Sequence, residues 1–165
     1  MSKVYDDLME AFAGESQANR KYLAFAKKAD TEGFPQVARL FRAAAAAETV
    51  HALTHFKTAG EIRTTEENLK AAIGGENYEN TVMYPGFIKD AEVEGDAKAL
   101  RSFTWANEAE KIHEMLYKEA LANLGKPGEE FDYYICPVCG YTHKRVAPEI
   151  CPICGAPGSK FEKIS

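Results

Sequence analysis

Four stretches of the chain carry an apolar stripe at alternating steps of three and four residues, and each stripe has a glutamate at its middle. The first reads Leu8, Phe12, Glu15, Asn19, Tyr22, Ala26, and the second Val37, Phe41, Ala44, Glu48, His51, His55. The third reads Leu69, Ile73, Glu76, Asn80, Met83, Phe87, and the fourth Ala99, Phe103, Ala106, Glu110, His113, Tyr117. A stripe of this period faces the core of a helical bundle. A carboxylate placed there costs several kcal/mol unless it is paired or bound to a metal. No Lys or Arg lies on any of the four stripes. The compensating cations must come from outside the stripes, and metal ions are the simplest source.

The helix limits are written in stop and start residues. Ser2 can cap a first helix that runs to about Thr31 and stops at Gly33. Pro35 suits the first turn of a second, which ends before Gly60. Thr64 or Thr65 can cap a third, with Glu66 and Glu67 in its first turn, that ends near Gly95. Asp96 caps a fourth that ends at Gly125. Gly74, Gly75 and Pro85 fall inside the third helix and argue against its being straight. Each helix is about 25–30 residues, or ~40 Å at 1.5 Å per residue. Four such helices with short links predict an all-α four-helix bundle over residues 1–124. Residues 125–132 read as a linker and 133–165 as a small, turn-rich domain.

The spacing on the stripes sharpens the metal expectation. Glu48-x-x-His51 and Glu110-x-x-His113 each set a carboxylate and an imidazole one turn apart on one face. The step from Glu15 to Glu48 is 33 residues and that from Glu76 to Glu110 is 34, so one helix pair looks to be used twice. A Glu from one helix plus Glu-x-x-His from its neighbour, doubled, is the ligand set of di-iron carboxylate bundles. Glu79, one turn after Glu76, is a fifth acid. Two ferrous ions bring four positive charges and two ferric ions six, against five carboxylates. Oxygen-rich ligands with two imidazoles suit iron or manganese. His55 reads as a core or rim histidine rather than a ligand.

The tail carries different chemistry. Cys136-Pro-Val-Cys139-Gly and Cys151-Pro-Ile-Cys154-Gly are two C-x-x-C knuckles separated by eleven residues. This is a strong tetrathiolate signal. Disulfides fit neither a knuckle's geometry nor the expected compartment. Tetrahedral sulfur ligation accepts iron or zinc, and these residues alone leave both open.

Charge excludes other classes. The net charge is −5, with 25 acids against 20 bases, so a nucleic-acid partner is not expected. All of that charge falls in the first 124 residues, since the tail balances. The longest stretch free of Asp, Glu, Lys and Arg is Tyr133–His143, eleven residues, short of the about 20 apolar residues a membrane span needs. The N-terminus lacks an apolar signal core, so a cytoplasmic place is the expectation. No G-x-G-x-x-G fingerprint occurs, so the chain is not expected to bind NAD(P)H or flavin itself.

These motifs together resemble the rubrerythrins over essentially the whole chain. The resemblance rests on Ala13-Gly14-Glu15-Ser16-Gln17, Glu48-x-x-His51, Gly75-Glu76-x-x-Glu79 with Met83-Tyr84-Pro85, Glu110-x-x-His113 and the knuckle Cys136-Pro-Val-Cys139-Gly-Tyr141. It implies a ferritin-like bundle with two non-haem iron ions and a rubredoxin-like domain with one iron on Cys136, Cys139, Cys151 and Cys154. It implies peroxidase activity, hydrogen peroxide being reduced to water. Electrons would come from a rubredoxin or an NAD(P)H-dependent reductase through the cysteine-bound iron. Glu48 and Glu76 would be terminal ligands, Glu15 and Glu110 bridging or flanking ones, and His113 would hold the second iron. The first iron would exchange His51 when reduced for Glu79 when oxidised. Tyr22 and Tyr84 could hydrogen-bond a ligand carboxylate. Iron oxidation and storage by a ferritin-like bundle is the rival function, but a ferroxidase needs no one-electron relay.

One departure bears on assembly. Ferritin-like bundles run their second and third helices parallel, so the link must travel the bundle's length. Only 15 residues lie between Gly60 and Glu76, and their reach of about 50 Å leaves nothing for the first turns of helix three. A homodimer that exchanges helix pairs removes the conflict. An up-down-up-down monomer also accepts the short link but loses the ferritin-like order of ligands.

Overall fold

The computed structural model describes residues 2–165. Two compact units divide the chain, Met1–Arg63 and Thr64–Ser165.

The first unit is an antiparallel helix pair. Helix α1 spans Lys3–Thr31, and the Ser2 hydroxyl accepts from the Tyr5 N–H at 3.2 Å. Helix α2 spans Pro35–Thr58, with Pro35 in its first turn. Alanines let the two axes approach. Ala26 and Ala29 on α1 and Ala38, Ala45 and Ala52 on α2 are the buried residues among those described in this unit. Phe12 stacks on Phe56 at 4.5 Å between ring centres. Asn19 Nδ2 donates across the pair to the Ala45 carbonyl at 2.6 Å and to the Thr49 hydroxyl at 2.9 Å.

The second unit begins with helix α3, Thr65–Tyr78. Thr64 and Glu67 close a reciprocal capping box at its start. The sequence predicts one helix from here to Gly95, and the structure interrupts it. Residues Glu79–Met83 form a turn of π-helix, and α4 resumes over Tyr84–Glu94. The cause is Pro85. It has no N–H to offer and its ring crowds the carbonyl four residues back. The wider turn relieves this, the Tyr84 N–H reaching the Glu79 carbonyl five residues earlier. Gly74 and Gly75, flagged in the sequence as possible breaks, sit in regular helix. Gly95 ends α4 at φ 70°. Asp96 Oδ1 then caps α5, Ala97–Asn123, accepting from the N–H groups of Lys98 and Ala99. Helix α5 packs along α3, the π turn and α4.

The cysteine domain follows in the same unit. Strands β1 (Tyr133–Ile135), β2 (Thr142–Lys144) and β3 (Glu162–Ile164) make an antiparallel sheet in the order β2-β1-β3. Tyr134 on the central strand faces His143 on one side and Lys163 on the other. Lys144 of β2 bridges to Glu119 of α5, and the His113 side chain of α5 reaches Gly140 and Thr142. Among the described residues no helix is long and apolar enough to cross a membrane.

Candidate metal centres

Each helix pair brings together one carboxylate from its first helix and a carboxylate–imidazole pair from its second. In the first unit these are Glu15, Glu48 and His51, and in the second Glu76, Glu110 and His113. Donor atoms within each set lie within 4.8 Å of one another. The two sets have the same geometry. His51 Nδ1 lies 2.8 Å from Glu48 and 4.0 Å from Glu15. His113 Nδ1 lies 2.7 Å from Glu110 and 3.8 Å from Glu76. Both imidazoles thus turn the same nitrogen toward two carboxylates.

The likeness extends past the ligands. Tyr22, Phe25 and Phe41 form an aromatic trio with ring centres 5.5–6.4 Å apart. Tyr84, Phe87 and Phe103 form the same trio at 5.4–6.4 Å. Phe41 precedes Glu48 by seven residues, as Phe103 precedes Glu110. Tyr22 follows Glu15 by seven, but Tyr84 follows Glu76 by eight. The π turn takes up the extra residue, since an i to i+5 bond holds one more residue per turn than a regular helix. Glu79 opens that turn. Its counterpart position, three after Glu15, is Ala18. The fifth carboxylate therefore belongs to the half with the inserted residue. Glu79 is half-buried and outside the close-packed set of donors.

Electrostatics in the second unit show what the arrangement lacks by itself. Burial, then the hydrogen bond and charge of Glu110, push Glu76 up to about 7. The hydrogen bond from His113 holds Glu110 below the usual carboxylate range. The same bond raises His113. Burial first, then the charge of Glu110, raises Glu79, and burial followed by the charges of Glu110, Glu79 and Glu76 raises Tyr84. A divalent ion would answer the repulsion between Glu76 and Glu110 and would take the place of a proton on His113 Nδ1. The far side of that ring is already oriented. Nε2–H donates to the Gly140 carbonyl at 3.2 Å and to the Thr142 hydroxyl at 3.0 Å. A backbone carbonyl can only accept, so the proton sits on Nε2 and leaves Nδ1 for a metal.

A pH dependence follows. The carboxylate of Glu76 and Nδ1 of His113 must both be free of protons to bind a metal. Uptake of Fe(II) by metal-free protein should therefore weaken by about tenfold per pH unit for each competing proton as pH falls below about 7. In the metal-free protein the sign for stability is opposite. A carboxyl whose folded pKa is raised loses stability as pH climbs from its unfolded value toward 7. Titrating metal-free protein with Fe(II) under argon between pH 5.5 and 7.5 measures the first effect, and a flat affinity would count against these donors.

The four cysteines meet at one point. Sγ of Cys136 lies 3.6 Å from that of Cys154, and Sγ of Cys139 lies 3.5 Å from that of Cys151. These gaps are far beyond a disulfide and close to the edge, about 3.8 Å, of a sulfur tetrahedron around a metal at 2.3 Å. The two knuckles repeat each other. Gly140 N–H donates to the Cys136 carbonyl at 2.9 Å and Gly155 N–H to the Cys151 carbonyl at 3.0 Å. Both glycines have positive φ, 82° and 75°. Cys136 and Cys151 are buried. Gly140 also lies against α5, where Ala109 Cβ is 3.9 Å from the place a Cβ on Gly140 would take, an ordinary contact distance. The first knuckle is thus the one turned to the helix that carries Glu110 and His113.

The sequence singles out all ten donors of these sets, and Glu79 besides. It did not bring out Thr142 or Gly140 as neighbours of His113, or the asparagine and glutamate cluster beside the π turn. The one-residue difference between the two Glu-to-Tyr spacings was the available signal for the π turn.

Comparison with known proteins agrees with both centres. A family model described as rubrerythrin matches residues 6–121, and one described as the rubrerythrin, rubredoxin-like domain matches residues 134–162. Nigerythrin of Nitratidesulfovibrio vulgaris is 39% identical over 94% of this chain and 84% of its own length. Rubrerythrin-2 of Clostridium acetobutylicum is 36% identical over 95% of this chain and 94% of its own. Among solved structures, a mixed-valence state of nigerythrin superposes with a TM-score of 0.60 at 37% identity, covering 99% of this chain and 88% of that one. The fold is accordingly ferritin-like with a small rubredoxin-like domain, and the metals are iron: two non-haem ions at the carboxylate–histidine site and one on the four cysteines. Matches that run through the helices and then through the knuckles, in one order and over nearly the full length, leave a single assignment: this chain belongs to the rubrerythrin family.

Proposed function

We propose that this di-iron oxidoreductase is a peroxide reductase that carries out H₂O₂ + 2e⁻ + 2H⁺ → 2H₂O. When bound, the iron pair supplies two electrons together, and the cysteine-bound iron returns them one at a time from a rubredoxin or an NAD(P)H-dependent reductase. The observation that carries this reading is the hydrogen bond from His113 Nε2 to the Gly140 carbonyl. Gly140 directly follows Cys139, so one helix ligand touches the backbone of one knuckle. A relay between the centres has a short covalent and hydrogen-bonded route there. An iron-storage protein, whose substrate itself is the electron donor, has no use for it.

In this reading residues 1–124 form the bundle domain, 125–132 the linker and 133–165 the relay domain. Glu48 and Glu76 would hold one iron each, Glu15 and Glu110 would bridge or flank the pair, and His113 would stay on the second. His51 and Glu79 would alternate on the first. A neutral imidazole suits the ferrous pair, and one more carboxylate suits the more highly charged ferric pair. His51 is the more exposed of the two imidazoles, its side chain 55% accessible against 26% for His113, which fits a ligand that leaves and returns. Tyr22 and Tyr84 stand at matching places beyond the ligands and would hydrogen-bond their carboxylates. Four cysteines gathered to hold an iron rather than paired as disulfides suit a reducing compartment, the cytoplasm.

The same reading includes a homodimer that exchanges helix pairs. Six residues, 59–64, separate α2 from α3. Each pair holds three donors, half of a di-iron set. The first pair buries only alanines, while Phe25 is 47% exposed and Leu40 67%. A partner's second unit would cover such a face and complete the ligands.

Stopped-flow mixing tests the peroxidase assignment. Diferrous protein should be oxidised far faster by H₂O₂ than by O₂. Faster reaction with O₂ would favour the iron-oxidation reading instead.

A further inference from the structure

The π turn that presents Glu79 is held on its far side by a single carboxylate. Asn77 Nδ2 donates to Glu114 Oε1 at 3.0 Å, and Asn80 Nδ2 donates to Glu114 Oε2 at 2.7 Å. Lys118 Nζ also reaches Glu114 Oε1, at 2.6 Å. Asn77 lies just before the turn and Asn80 just after Glu79, so the two asparagines bracket the fifth acid. Asn80 is buried, with 9% of its surface accessible, and the Glu114 side chain is 12% accessible. Both Glu114 oxygens thus accept from an asparagine amide, and Lys118 balances the carboxylate charge.

The cluster is not part of the metal set. Glu114 follows His113, and Asn77 and Asn80 follow Glu76 and Glu79, by one residue each. One residue is 100° around a helix. The cluster therefore forms a second seam between α5 and the interrupted helix, beside the seam that holds the ligands. It is also absent from the other helix pair. The positions matching Asn77 and Glu114 there are Ser16 and Ala52, and Asn19, which matches Asn80, donates instead to Ala45 and Thr49. The clamp thus occurs only in the half that has the inserted residue, the π turn and the extra acid.

We propose that Glu114 is a positioning residue that, by clamping Asn77 and Asn80, fixes the π turn in the place from which Glu79 reaches the iron pair. A π turn is a strained segment with fewer good backbone bonds than regular helix. Left alone it can relax by shifting the extra residue along the helix, which would swing Glu79 around the axis. Two charge-assisted bonds, one on each side of Glu79, stop that shift. This rests on the reading of Glu79 as the ligand that exchanges with His51.

Amide hydrogen exchange on the full-length protein, with and without iron, tests the clamp. In Glu114→Ala the amides of residues 79–83 should exchange roughly tenfold faster or more, while those in the middle of α1 and α2 stay unchanged. Lys118→Ala, which leaves both asparagine bonds, should match wild type. The second readout is the midpoint potential of the di-iron pair. Losing the clamp should weaken the ferric state and raise that potential, with the cysteine iron unmoved. Glu79→Ala should raise it too, and Glu79→Ala/Glu114→Ala should add nothing beyond Glu79→Ala. Unchanged exchange at 79–83 in Glu114→Ala would overturn the proposal, as would a double variant whose shift is the sum of the two. If Glu79→Ala alone leaves the potential unmoved, it is the exchanging-ligand reading that falls, and the exchange data still judge the clamp.

Discussion

Cys136→Ser or Cys154→Ser protein should lose steady-state peroxidase activity driven by NADH and a reductase, falling to background, while its diferrous site still consumes one equivalent of peroxide in a single turnover. Each substitution opens the sulfur tetrahedron and lowers affinity for the relay iron. Neither touches the helix donors. Cys136 is the first cysteine of the knuckle turned to α5, and Cys154 the second of the other. Both should fail alike, because one-electron delivery needs the whole centre. The spectrum gives the internal control, since ferric thiolate absorption should vanish while di-iron absorption remains. A variant without the thiolate band but with full NADH-driven turnover would make the tail a structural appendage and the His113–Gly140 contact mere packing.

The contrast between the two centres also shows what the sequence made legible. Helix ends were plain because each rests on a local device: Ser2, Pro35, Thr64 and Asp96 all stand at observed starts. The metal donors were plain because a carboxylate on an apolar stripe contradicts its surroundings, and four repeat the contradiction at one depth. The twin knuckles announced themselves by identical spacing. The π turn was not legible by the same means. Counting steps of three and four presumes a regular helix, and the stripe through Asn80, Met83 and Phe87 crosses a turn that is not regular. Pro85 pointed to a disturbance without giving its form. Comparing the halves would have given it, since Glu15 to Tyr22 and Glu76 to Tyr84 differ by one residue while the aromatic trios coincide.

Other features lay beyond reach for a different reason. The three strands have only three residues each, too few for a period to register. Their pairing is set by the knuckles, whose backbone bonds fold the chain back upon itself. Glu114 reads in sequence as an ordinary surface acid four residues before Lys118, and that i to i+4 pair does form. Its partners Asn77 and Asn80 lie 37 and 34 residues away, and no local rule connects them. His113 carries the same lesson for function. Its spacing to Glu110 marks a ligand, but its bond to Gly140, 27 residues on, is what ties that ligand to the second metal centre.

Two inactive variants should restore each other when refolded together. In the first chain Glu15→Ala and Glu48→Ala remove the carboxylates of the first helix pair. In the second, Glu110→Ala and His113→Ala remove half of the other. Each alone should bind little iron and reduce no peroxide, because each homodimer lacks carboxylates at both of its sites. In a dimer that exchanges helix pairs, a site combines Glu15, Glu48 and His51 of one chain with Glu76, Glu79, Glu110 and His113 of the other. A mixed dimer then has one site with every substitution and one with none. Random pairing makes half of the dimers mixed, so the refolded mixture should recover about a quarter of wild-type activity and iron content. Chains that build each site from their own residues would recover nothing at any mixing ratio. The intact site in the mixed dimer keeps Glu110, His113 and the cysteine domain on one chain, since His113 meets Gly140 within a single unit. NADH-driven activity should therefore return together with single-turnover activity. Restored single turnover without restored NADH-driven turnover would keep the exchange of helices but separate the relay from the contact at Gly140.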